Sequence, residues 1–312
     1  MECLIILWGG KLDFRTGGSI LKKRYSLKGF LLLAAFTIVV VFFLMDVGLS
    51  GLLVTGITYP PCGMEWGTYS STGYEIFDME SGVKMAYLEP SNGAVVVIMD
   101  GLGGGSTTIE SFVPGLISEG FGILRVGTRR CWDEPQQVTL GAREANDVLE
   151  AVAFLVNEGI QENKIGLYGF STGGAAVLMA AAESGYDLAI VAEGNYADLD
   201  RHLGGEQKPG LRYLPENVFY KSVWLWYRVL TGIDPAEVSP VRSASEIGGG
   251  SVMLVYGTGE LDDNYAEQIF EALDVEKELL IIEGGFHGGN HLAGGGSYSN
   301  AIIDFFSRTI GD

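Results

Sequence analysis

The chain is poor in the residues on which small disulfide-framed or metal-bound domains depend. Among its 312 residues there are three cysteines and three histidines. Cys3, Cys62 and Cys131 are too few for a disulfide framework, and no Cys-x-x-Cys pair or His/Cys cluster suggests a metal site. Cys62 and Cys131 can pair only if both face an oxidising compartment. Nothing in the sequence fixes the distance between them, so a disulfide and two ordinary thiols both stay open. Positive charge is scarce too: 20 Lys plus Arg stand against 39 Asp plus Glu. Six of those bases fall in the first 28 residues, and the remainder carries 14 bases against 37 acids, a formal charge of −23. A body this acidic repels phosphate backbones and anionic head groups, which argues against nucleic acid as a partner. No internal repeat is visible, and the length suits one α/β domain of roughly 250 residues behind an atypical N-terminus.

That N-terminus carries the chain's one long hydrophobic run. Residues 30–45 are apolar or weakly polar throughout, and after Asp46 the apolar character resumes to Ile57. With Asp46 near the interface, a span of about 20 residues ending near Val54 would cross a ~30 Å hydrocarbon core. Lys22, Lys23, Arg24 and Lys28 precede the run and no comparable basic cluster follows it. The positive-inside rule then leaves the N-terminus in the cytoplasm and the chain after residue 57 outside the membrane. A cleaved signal peptide, giving a secreted protein, is the competing reading, with Gly48 and Ser50 as small residues near a cleavage point. The long stretch before the run and its continuation past that point favour an anchor. The expected organisation is a cytoplasmic basic N-terminus over 1–28, a transmembrane anchor over 29–57 and a folded domain over 58–312.

From residue 74 onward short β-rich runs alternate with helical ones, the pattern of a mostly parallel sheet covered on both faces. The runs 74–79 and 83–89 read as an antiparallel hairpin at the sheet edge. Buried strands are expected at 94–99, 122–126, 164–169, 188–192, 252–256 and 278–282, where continuous apolar runs suit strands covered on both sides. Residues 141–158 and 299–310 place apolar side chains at helical spacing. Residues 200–246 break the alternation with Gly, Pro and aromatics. An insertion there would overhang the carboxyl ends of the strands, where open α/β sheets bind ligands. Read as a lid, it offers Trp224, Trp226 and Tyr227 as substrate-binding residues; read as an ordinary helix, it packs them on the body.

The strongest local signal is Gly169-Phe170-Ser171-Thr172-Gly173, directly after the strand-like run 164–168 and before a small-residue helix. A serine hydroxyl becomes a useful nucleophile only when exposed beside a base. A strand-to-helix elbow exposes it, and glycines two residues either side avoid collisions with neighbouring backbone. The base comes from His202, His287 or His291. His287 follows the last strand on a glycine-rich loop, where the mechanism needs it; His291 is the fallback, and His202 falls in the expected lid as a surface or pocket-wall residue. The orienting carboxylate belongs after the preceding strand. Three candidates compete there: Glu260, at the usual position, and Asp262 and Asp263, which can instead cap the next helix. Two backbone N–H groups are needed for the oxyanion. Thr172 supplies one, and Leu102, in the glycine-rich loop after the strand 94–99, is the candidate for the other.

Together these residues resemble the α/β-hydrolase superfamily, and within it the dienelactone-hydrolase, prolyl-oligopeptidase and serine-aminopeptidase-like branch. The similarity runs over about residues 74–310. It is carried by Arg129-Arg130, the stretches 139–155 and 165–182, Asn195-Tyr196-Ala197-Asp198-Leu199 and Ser239-Pro240-Val241-Arg242-Ser243-Ala244. The resemblance implies hydrolysis of an ester, thioester or amide of a small molecule or peptide, through an acyl-enzyme and without a cofactor or metal. Two departures stand out: Asp100-Gly101 replaces the usual His-Gly before the oxyanion loop, and Glu260 stands where Asp is usual. The rival reading is a non-catalytic extracytoplasmic binding protein on the same fold. Oligomeric state is not legible.

Overall fold

The structure, a computed structural model, describes residues 6–8, 11–13, 25–204 and 216–311. Lys22, Lys23 and Arg24, and residues 205–215 of the expected lid, lie outside the described residues. The eight expected strands form one sheet: β1 (Glu75–Asp78), β2 (Lys84–Leu88), β3 (Val95–Met99), β4 (Gly122–Val126), β5 (Ile165–Phe170), β6 (Ala189–Glu193), β7 (Ser251–Gly257) and β8 (Glu276–Ile282). Their spatial order is β8-β7-β6-β5-β3-β4-β2-β1. β1 and β2 form the expected edge hairpin, β2 runs antiparallel to β4, and the remaining pairs are parallel. This is the α/β-hydrolase fold.

The apolar runs explain the layering. Along β3, Val95, Val97 and Met99 face one core while Val96 and Ile98 face the other. Both faces need cover, and helices supply it. On one side pack α2 (Ala142–Asn157) and α3 (Thr172–Ser184); on the other packs α5 (Asn290–Phe306). The helix expected at 299–310 thus begins nine residues earlier, at Asn290, with a kink at Gly295. Glycines 294–296 hid its first turns from a periodicity reading. Because β3 is flanked by β4 and β5, the chain order reverses there, and the loops leaving β3 and β5 emerge side by side, with Met99 opposite Gly169.

The N-terminal run is a single helix, α1 (Leu27–Thr58), with a mean hydropathy of 2.7 in its most apolar window. It is long and apolar enough to cross a membrane. Residues 28–45 present their side chains almost entirely outward, over about 27 Å of helix axis. A different pattern starts at Asp46: Asp46, Ser50, Val54 and Thr58, one turn apart, are fully buried. They face α4 (Glu216–Thr231), the helix of the expected lid. Ser222 donates to the Asp46 carboxylate (2.9 Å) and the Trp226 indole N–H donates to the Val47 carbonyl (2.8 Å). Gly51 makes room for the indole; a Cβ there would come within 2.9 Å of it. The outward-facing stretch therefore ends at Met45 rather than near Val54, and the last three turns of α1 form a stalk fastened to the body.

Cys62 and Cys131 form a disulfide with their Cα atoms 5.1 Å apart, the alternative that needs an oxidising compartment. The cause is tertiary. The chain leaving α1 turns back along the loop after β4, where Arg130 Nε donates to the Pro60 carbonyl (3.1 Å). A separation of 69 residues carries no sign of that meeting.

Trp226→Ala removes an indole that is packed and hydrogen-bonded yet only partly buried. It is expected to cost about 2–3 kcal/mol, below the ~3–5 kcal/mol of a fully buried aromatic. Thermal unfolding of the full chain in detergent checks this; an unchanged transition contradicts the docking of α4 on α1.

Candidate active site

β5 ends at Phe170 and α3 begins at Thr172, leaving Ser171 alone at the turn with φ 57° and ψ −118°. A non-glycine residue there is strained and persists only where its surroundings dictate it. They do so by close approach. A Cβ on Gly169 would collide with the Gly173 carbonyl, and one on Gly173 with the carbonyls of Met99 and Asp100. The Ser171 N–H donates to the Glu193 carbonyl at 2.8 Å, tying the elbow to β6. The Ser171 side chain is thereby held at the N-terminus of α3, where helix amides favour negative charge.

His287, on the loop after β8, brings Nε2 to 3.0 Å from Ser171 Oγ and Nδ1 to 2.8 Å from Glu260 Oε1. Its ring stacks on Phe170 with centroids 5.2 Å apart. With the carboxylate accepting from Nδ1–H, Nε2 is left to accept the serine proton. Glu260 sits in the turn after β7, where its Oε2 also accepts from the Gly257 N–H (2.8 Å) and from Asn290 Nδ2 (2.9 Å). Burial works against its charge, but the hydrogen bonds from His287, Gly257 and Asn290 outweigh it and hold the carboxyl below its ordinary value. Gly194, at φ 60°, keeps the backbone clear of this pair: a Cβ would lie 2.8 Å from Glu260 Oε1. Asp263 lines the same cavity, and among the described residues the carboxylate on His287 is that of Glu260, not of Asp262 or Asp263.

The other histidines are elsewhere. His291 approaches the hydroxyls of Thr107 (3.3 Å) and Thr108 (3.2 Å), and burial lowers its basicity. His202 stacks on Tyr196 and lines the cavity, as a pocket-wall residue would.

Two residues the sequence reading missed stand behind Glu260. Glu193, the last residue of β6, is fully buried, and its Oε2 accepts from the hydroxyls of Tyr168 (2.6 Å) and Tyr298 (2.5 Å). The Asn290 amide bridges it to the relay, donating to Glu193 Oε1 (3.1 Å) and to Glu260 Oε2. Burial pushes the Glu193 carboxyl upward, against the pull of those donors. The available signal was a carboxylate closing an otherwise apolar strand, with Asn290 three residues beyond His287.

Asp100 explains the loop after β3. It is buried, and its carboxylate turns into the loop, accepting from the N–H groups of Gly101 (2.8 Å) and Ser106 (2.9 Å). Burial raises its pKa, opposed by those amides and by Arg125. The carboxylate therefore pins the loop from within. Leu102 sits on the outer turn facing the cavity, and Gly101 packs on the elbow, a Cβ there lying 3.1 Å from the Ser171 Cβ. Thr172, as the first residue of α3, has an N–H with no intrahelical acceptor.

A cavity of about 540 Å³ opens over Ser171 and is lined by Leu102, Thr172, Glu260 and His287 among others. Trp224, Trp226 and Tyr227 do not line it, which corrects their reading as substrate-binding residues. Trp226 is turned onto α1, Tyr227 is buried with its hydroxyl donating to the Thr139 carbonyl (2.7 Å), and Trp224 lies under the Arg228 guanidinium. The aromatic wall comes instead from Tyr196, Tyr256 and Tyr265.

The model of the prolyl oligopeptidase family matches residues 127–311, more than half of the chain. No curated protein matches it. Solved structures share the fold. An esterase of Pyrococcus furiosus is 18% identical, with a TM-score of 0.57 over 81% of this chain and 100% of that one. A dienelactone hydrolase of Anabaena variabilis is 19% identical, with a TM-score of 0.51 over 76% and 97%. Dipeptidyl peptidase 4 of Porphyromonas gingivalis is 15% identical, with a TM-score of 0.54; the match spans 76% of this chain and 35% of that larger protein.

Asn290→Ala deletes one of the donors that fix Glu260. Losing a hydrogen bond to a buried charge costs about 1.5–3 kcal/mol, so kcat on an activated ester is expected to fall about 10–100-fold with little change in KM. Steady-state kinetics check this, and an unaltered kcat contradicts a positioning role. Glu260 also leaves a mark on stability. Its contribution is complete above the unfolded-state value near 4.5 and is lost as pH falls through the lower folded value. Glu260→Gln is expected to flatten the acid-side fall in the thermal transition, measured by scanning calorimetry between pH 3 and pH 6; an unchanged slope refutes it.

Proposed function

The chain belongs to the prolyl oligopeptidase family and is a serine hydrolase of the α/β-hydrolase fold, and from that premise we propose that it cleaves an ester, thioester or amide through an acyl-enzyme on Ser171. The observation that carries the proposal is the relay from Ser171 Oγ through His287 to Glu260, with contacts of 3.0 and 2.8 Å. In this reading His287 Nε2 takes the serine proton as Oγ attacks the substrate carbonyl. The developing oxyanion is held by the N–H groups of Leu102 and Thr172. His287 then protonates the leaving group, and the same ring activates the water that releases the acyl group. Glu260 stays ionised, fixes the tautomer and stabilises the imidazolium. Its side chain is one methylene longer than the usual aspartate, which suits a turn held back by Gly257 and Asn290. The substrate is a small molecule or a peptide.

We also propose that the helix expected as an anchor over 29–57 holds this hydrolase in a membrane through its outward-facing part up to Met45, with 1–28 cytoplasmic and the stalk from Asp46 and the domain over 58–312 outside. Three observations support this: the outward-facing apolar stretch 28–45, the basic residues 22–24 and 28 before it, and a disulfide just beyond it, which suits an oxidising compartment.

A fluorophosphonate probe is expected to label the full chain once and to leave Ser171→Ala unlabelled. His287→Ala is expected to slow ester hydrolysis at least about a thousandfold. Equal labelling of wild type and Ser171→Ala would defeat the assignment. For the topology, protease added to intact cells is expected to degrade the domain and spare an N-terminal tag; protection of the domain would reverse the orientation.

A further inference from the structure

The chain that leaves α1 touches the active site in two places. Ile57, in the last turn of α1, lies on the cavity wall together with Leu102, Leu140, Leu199 and Leu203. A few residues on, the peptide runs against the loop that carries Leu102. There Gly63 N–H donates to the Gly103 carbonyl (2.8 Å), and a Cβ on Gly103 would lie 2.7 Å from the Pro61 carbonyl. Ile57 is held firmly from both sides. Upstream, Asp46, Val47 and Gly51 are fixed to Ser222 and Trp226; downstream, Cys62 is bonded to Cys131 and the Thr58 carbonyl accepts from the Val138 N–H (3.0 Å).

The lining also has a chemical bias. Its carboxylates, Glu260 and Asp263, and its imidazoles, His202 and His287, accompany five aliphatic side chains, and no Lys or Arg is among the described lining residues. Among the described lining residues, a free carboxylate or phosphate on the substrate meets carboxylates rather than a side-chain cation. An uncharged aliphatic group finds five aliphatic side chains on the wall, one of them, Ile57, supplied by α1.

We propose that Ile57 is a specificity-determining residue: the last turn of α1 is the wall against which the substrate's acyl group lies, and the substrates are neutral esters or thioesters with an unbranched aliphatic acyl chain. The inference rests on Ser171 being the nucleophile. It makes the helix read as an anchor a structural part of the substrate site. Each methylene brought against such a wall is worth about fourfold in kcat/KM.

The test uses the full chain in detergent, with p-nitrophenyl acetate, butyrate, hexanoate and octanoate as probes. Ile57→Trp fills the space beside the wall, and the ratio of kcat/KM for octanoate to that for acetate is expected to fall at least tenfold. Ile57→Ala opens it, and the best acyl chain is expected to lengthen by about two carbons. A chain-length profile parallel to wild type in both variants, while both are still labelled by a fluorophosphonate, would overturn the role of Ile57. Should Ile57→Trp fail to fold, Ile57→Ala decides alone, since an unmoved optimum is sufficient to refute the proposal. If wild type itself neither labels nor hydrolyses any ester, the reading of Ser171 fails first and this inference falls with it. The two failures are thus distinguishable.

Discussion

The arrangement turns on a close contact of backbone with backbone at the end of β5. Gly169 and Gly173 lie against each other, and Gly173 lies against the carbonyls of Met99 and Asp100, with no room for a Cβ at either position. Only that contact lets a serine occupy a left-handed turn between a strand and a helix. It also sets the distance from Ser171 to the loop after β3, because β3 and β5 are parallel neighbours. The expected oxyanion donors and the expected nucleophile are consequently placed by one packing event.

Charge is organised around that elbow in two buried devices. One is the path from His287 through Glu260 and Asn290 to Glu193, in which a single amide satisfies two carboxylates whose burial pulls against their ionisation. The other is Asp100, which faces inward and holds its loop by accepting backbone amides. Both place a carboxyl group near the proposed oxyanion site, and both are already engaged by hydrogen-bond donors of the protein. A carboxylate already saturated by N–H and O–H groups competes little with a developing oxyanion.

The parts of this structure legible in the sequence were those written in local patterns. Apolar runs marked the interior strands β3 to β7 because a strand buried on both faces must be apolar along its length, whereas β8, read as equally buried, lies at the sheet edge and is largely exposed. Ser171 was legible because its glycines are required by the turn, and His287 because so few histidines compete for its place. Glu260 stood out only by its count from the end of β7, with Asp262 and Asp263 competing for the same role. What escaped was set by long-range contact. The meeting of Cys62 with Cys131, the bridge from Asn290 to Glu193, and Ile57 on the cavity wall each join segments far apart in the chain. The aromatics of α4 misled for the same reason: an amphipathic helix declares that it has an apolar face, and α1 and the body, not the cavity, are what that face covers.

The proposed catalytic assignment and the proposed role of α1 meet at one chemical event, transfer of an acyl group to Ser171. Rapid acid quench of the full chain during turnover of a slowly deacylating aryl ester, followed by peptide mapping by mass spectrometry, observes that event directly. One acyl group per chain, on the peptide containing Ser171, is the expected result. Product accumulating with no acyl-peptide, or with the acyl group on another residue, would contradict it.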